Sequence, residues 1–144
     1  MDRYNRCMKM LPLLLAACGP VEETLALGTG TSAFTDLADD DEVALVYGPQ
    51  GGWHVDVALL CTGDLDPDGV VVRYGAEEAG VPISYPVEVQ LAEALVRPTA
   101  DGWERLGDRV VFDVAADTDV LGATLDLWAT VEGGGPVETQ RVRV

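Results

Sequence analysis

Asp64-Leu65-Asp66-Pro67-Asp68-Gly69 places three carboxylates at alternate positions ahead of a glycine. That spacing opens many calcium loops, because such carboxylates converge on one hard cation while glycine permits the sharp bend. A helix-loop-helix calcium site also needs a bidentate glutamate at its twelfth position, and that position here is Gly75. Proline at the fourth position argues further against such a loop, so the plain reading is an Asx-rich turn. Weak calcium binding by Asp64, Asp66 and Asp68 stays open, since extracellular modules bind calcium at about 10⁻⁴–10⁻³ M. The run Asp39-Asp40-Asp41-Glu42 reads as a solvated acidic turn, with a second cation site as its functional alternative.

His54 is the only histidine, and Asp56 follows two residues later. A carboxylate beside an imidazole orients it and raises its pKa, as in a catalytic pair. No nucleophile accompanies them. The only serines are Ser32 and Ser84, and Cys61 lies an odd seven residues from His54. On a regular strand, that separation puts the two side chains on opposite faces. A zinc site wants several His or Cys ligands, which the chain does not supply. Gly48-Pro49-Gln50-Gly51-Gly52 leads into a strand pattern, whereas a phosphate cradle leads into a helix N-terminus. The expectation is a protein that is not an enzyme, with a hydrolase built around His54 and Asp56 as the remote alternative.

The N-terminal segment carries a different chemistry. Arg3, Arg6 and Lys9 precede an apolar run from Leu11 to Ala17 that is interrupted only by Pro12. The run is far shorter than the ~20 residues needed to span a bilayer. It closes on small residues, which is the layout of an export signal. Leu15-Ala16-Ala17-Cys18, followed by Gly19, resembles the lipobox of bacterial lipoproteins. That resemblance implies a signal peptide over 1–17 and cleavage between Ala17 and Cys18. It also implies a diacylglyceryl group on the Cys18 thiol and acylation of the new amino terminus, with palmitate as the expected chain. The place it implies is the bacterial cell envelope. Gly19 in place of aspartate points, by likeness to enteric sorting, to the outer membrane, facing periplasm or cell surface.

Without residues 1–17 the chain keeps six arginines and no lysine against 24 carboxylates, a formal charge of −18. Such a field repels nucleic acid and anionic headgroups. The expected partners are therefore the membrane, through lipid on Cys18, and an envelope protein or a glycan. With Cys18 lipidated, Cys61 stands alone and no internal disulfide is expected.

These groups must be positioned by strands. Residues 18–30 read as the lipidated N-terminus and a tether, and 31–144 as one all-β domain. Trp53, Val55, Val57, Leu59 and Cys61 alternate with His54, Asp56, Ala58, Leu60 and Thr62, the period of a half-buried strand. Similar rows are Val87-Val89-Leu91, Val110-Phe112-Val114 and Leu121 through Val131 at every second position. Weaker runs span 31–37, 42–47, 70–74 and 137–144, while 91–97 fits a helical turn or a strand. Turn clusters such as Gly51-Gly52, Pro67-Asp68-Gly69 and Asp101-Gly102 separate them. The pattern predicts an antiparallel, immunoglobulin-like β-sandwich of about seven to eight strands. The Cys…Trp…Cys spacing of true immunoglobulin domains is absent. Trp103 and Trp128 fit either the core or a surface anchor for protein or glycan. The function expected is binding or structural, with a weakly calcium-binding adhesion module as the alternative.

Overall fold

The computed structural model describes residues 23–132 and 137–144. Its strands are β1 (Thr24–Thr29), β2 (Thr35–Asp36), β3 (Asp41–Glu42), β4 (Val46–Tyr47), β5 (Trp53–Thr62) and β6 (Val71–Glu78). They continue as β7 (Val81–Pro82), β8 (Val87–Gln90), β9 (Arg97–Pro98), β10 (Gly102–Val111), β11 (Thr124–Val131) and β12 (Val137–Arg143). One sheet runs β2-β1-β5-β10-β9 with β4 also on β5. The other runs β3-β12-β11-β6-β7 with β8 also on β6. All pairings are antiparallel except β12 with β3.

Taking only the strands of four or more residues, the sheets are β1-β5-β10 and β8-β6-β11-β12. As in immunoglobulin-type sandwiches, the second and fifth of these strands share one sheet and the third and sixth the other, but the fourth, β8, pairs with β6 and not with β10. Cys61 lies on β5, the strand that carries half of the inter-sheet disulfide in antibody domains. β11 has no cysteine to meet it, and Cys61 is a free, buried thiol.

Period-two burial builds the core as the alternation requires. Val55, Val57, Leu59 and Cys61 from β5 face Val72, Tyr74 and Ala76 from β6 and Leu125, Leu127 and Ala129 from β11, all buried. Thr24–Thr29, read from sequence as part of the tether, is instead strand β1. Leu25 and Leu27 sink into the core there while β5 supplies the backbone partners. Leu121 does not join the inward row of β11, because the strand begins at Thr124 and Leu121 is exposed in the preceding turn. The run 42–47 divides between the two sheets, β3 pairing with β12 and β4 with β5. The ambiguous 91–97 stretch holds both a 3-10 turn, Glu93–Leu95, and β9.

Strand β10 starts earlier than its apolar alternation suggests, because a bulge between Arg105 and Asp108 breaks the period. Gly107 adopts φ +73° there, a conformation cheap only for glycine. The bulge keeps Asp108 pointing inward. Tyr74 Oη, on the opposite sheet, donates to Asp108 Oδ2 at 2.8 Å, and both groups are buried. Arg105 closes the group by donating from Nε and Nη2 to the same carboxylate at 3.0 and 2.7 Å. A charge-assisted network thus bolts one sheet to the other.

Candidate functional site

Three places bear on function. The first is the acidic turn after β5. Asp66 Oδ1 accepts the Asp68 N–H at 2.9 Å, and Asp68 Oδ1 accepts the Glu93 N–H at 2.7 Å. These carboxylates shape the turn and dock it on the 3-10 turn. The Trp103 indole N–H donates to the Leu65 carbonyl at 2.7 Å, pinning the same loop to the core. Trp103 is therefore a buried residue and no surface anchor. Among the described residues, no three His, Cys, Asp or Glu side chains gather as a metal site. In the other acidic run, Asp39 accepts the Arg141 N–H and Asp41 accepts the Ala38 N–H, so it fastens the β3 edge.

The second place is the glycine-rich loop. It is the hairpin turn between β4 and β5: the Gly48 and Gly52 backbones bond at 2.9 Å, and Gly51 N–H donates to the Gly48 carbonyl at 2.9 Å. His54 lies beneath it, only 5% exposed. A 320 Å³ recess is bounded by this turn, His54, Arg109 and Val111. His54 Nε2 is 3.7 Å from Asp56 Oδ1, and Arg109 Nε is 3.6 Å from the same oxygen. Burial, helped by the Arg109 charge, holds the imidazole below its ordinary pKa of 6.5, outweighing Asp56. The pair expected from sequence is present, but it holds a neutral histidine at pH 7. Cys61 faces the core on the other side of β5, and burial pushes its thiol up to about 11. Ser84 is taken as well, its Oγ accepting the Ala76 N–H at 2.7 Å. The recess that His54 lines holds no serine, threonine or cysteine among the described residues.

The third place is the outer face of the second sheet. Trp128 is half-buried there, in register with Gly75 on β6 and Thr139 on β12. The indole lies across Gly75 so closely that a Cβ on that residue would collide with three ring atoms. Glycine therefore makes the seat for the tryptophan. A 390 Å³ depression beside the ring is lined by Glu77, Asp126, Thr130 and Thr139. A second, of 260 Å³, lies toward Pro82, Ser84 and Pro86, again bordered by Glu77. Asp126 and Glu77 stand directly opposite each other. Arg141 Nε neutralises Asp126 at 3.1 Å, while Glu77 forms no ion pair with any described residue. Sequence reasoning singled out Trp128. It missed Glu77 and Gly75, because only the β6–β11 register brings them to the ring.

Cys18 and Ala17 lie outside the described residues. No helix among the described residues is long and apolar enough to cross a membrane. No known protein family matches the chain, and no curated protein or solved structure matches it either.

Proposed function

We propose that the protein is a lipid-anchored lipoprotein of the bacterial cell envelope whose β-sandwich is a binding or structural domain without catalysis. The observation that carries the reading is Leu15-Ala16-Ala17-Cys18-Gly19 behind a basic start and a short apolar run. The arrangement of the domain supports the second half. Its histidine is neutral and lines a recess that holds no serine, threonine or cysteine, its thiol is buried and held protonated, and its half-buried tryptophan is seated on a sheet face in the manner of a contact residue. Two or three acyl chains on Cys18 anchor stably, whereas one alone is marginal. The domain's negative charge adds no attraction to anionic lipid.

Intact-mass measurement of the membrane fraction tests this. The expected result is a chain starting at Cys18 with added acyl mass, and release of the C18A variant from the membrane. An unmodified chain that still begins at Met1 refutes the anchor.

A further inference from the structure

The open depression beside Trp128 has a defined chemistry. Its lining includes the Trp128 indole and Glu77, a carboxylate that forms no ion pair with any described residue. Like charges directly opposite on a sheet repel, and Arg141 relieves only the Asp126 half of the Asp126/Glu77 pair. A cation set over the ring would meet the negative π face and supply Glu77 with its missing counter-charge. The whole chain, with 25 carboxylates against 9 Lys and Arg, draws cations and repels acidic partners. We propose that this face binds an arginine- or lysine-rich segment of a partner protein, with Trp128 as the π platform and Glu77 as the counter-charge. The inference deepens the binding reading above and rests on it. Gly75 is the positioning residue, since it alone leaves room for the ring. Guanidinium fits best, because its plane stacks on an indole while its edge donates to a carboxylate.

The test is a titration of the ¹⁵N-labelled full chain, in non-ionic detergent, with a blocked tetra-arginine peptide. The indole N–H signals of Trp53, Trp103 and Trp128 report separately, with W128F assigning the last. The expected result is a saturable shift of the Trp128 signal with the other two unmoved. E77Q should weaken the affinity by about threefold or more. D36N, which removes the same charge from β2 on the other sheet, should leave it within about twofold. Equal weakening by E77Q and D36N would reduce the effect to diffuse charge and overturn the proposal. So would an affinity indifferent to E77Q. A Trp128 shift with chitotetraose and none with the peptide would overturn it in favour of a glycan. Cys18 lipidation is measured independently. A lipidated chain that ignores the peptide sinks this inference alone, and an unlipidated chain that binds it sinks the anchor alone.

Discussion

Replacing Tyr74 by phenylalanine deletes one oxygen from the bolt between the sheets and little else. The lost bond is 2.8 Å long, buried, and made to a carboxylate. Hydrogen bonds to charged groups contribute about 1.5–3 kcal/mol. Asp108 keeps both donors of Arg105, so the lower half of that range applies, about 1.5–2 kcal/mol. With a urea slope of about 1–3 kcal/mol/M, the midpoint at pH 7 should fall by roughly 1 M. The alkaline limb offers a second readout. Burial first, and then the Asp108 charge, push the Tyr74 phenol far above its usual 10. Below about pH 10 both the folded and unfolded chains keep the proton, and no stability is lost. Above it the unfolded chain ionises while the folded chain does not, so stability falls by about 1.4 kcal/mol per pH unit. Y74F should remove that part of the slope. A midpoint within about 0.3 M of the parent, together with an unchanged alkaline slope, would refute the cross-sheet role.

Other outcomes follow from the same geometry. G75A should lower stability by about 1–3 kcal/mol through overpacking and shift tryptophan fluorescence to the red, as the new Cβ lifts the Trp128 indole off its seat. His54 has a lowered pKa in the fold, so the unfolded chain takes up a proton first as pH falls below about 6.5. Stability should therefore drop through the acid range, and H54N, compared by urea midpoints at pH 7 and 5.5, should drop less. Cys61 should resist a disulfide reagent at pH 8 in the native protein and react at once in denaturant, because burial holds the thiol protonated. Millimolar calcium should leave the melting midpoint unmoved, since Asp66 and Asp68 are engaged by backbone N–H groups; a rise would revive a cation site.

The sandwich was legible wherever alternation was clean. β5 and the inner rows of β8 and β11 follow from residue spacing alone. β1 was hidden by Gly28, by Gly30 just beyond it and by the acidic, proline-containing stretch before it, although Leu25 and Leu27 carry the needed period. Most of β10 was hidden because its bulge places two charged residues, Arg105 and Asp108, on the inward side, against the usual polarity rule. The covered position of His54 was left open by period two, which names a face but not what lies over it. The Trp128 seat depends on register between β6 and β11, strands separated by more than forty residues of chain, and no local pattern encodes it.

β1 begins only six residues after Cys18. An extended chain gains about 3.3–3.6 Å per residue, so this leash reaches roughly 20 Å. Thr24 pairs with Thr62, and Thr62 with Gly102, so the loops over 63–70 and 91–101 share the leash's end of the sandwich. That end bears Glu23, Asp64, Asp66, Asp68, Glu93 and Asp101. On the proposed anchoring, it is the end turned toward the headgroups, and an anionic surface pushes it away. At physiological salt such a field decays over about 8 Å, well within the reach of six residues. In dilute salt the field reaches about 30 Å, farther than six residues can span. On that anchoring Trp128, midway along β11 and in register with Gly75, lies on a sheet face and not in the acidic loops of the leash's end.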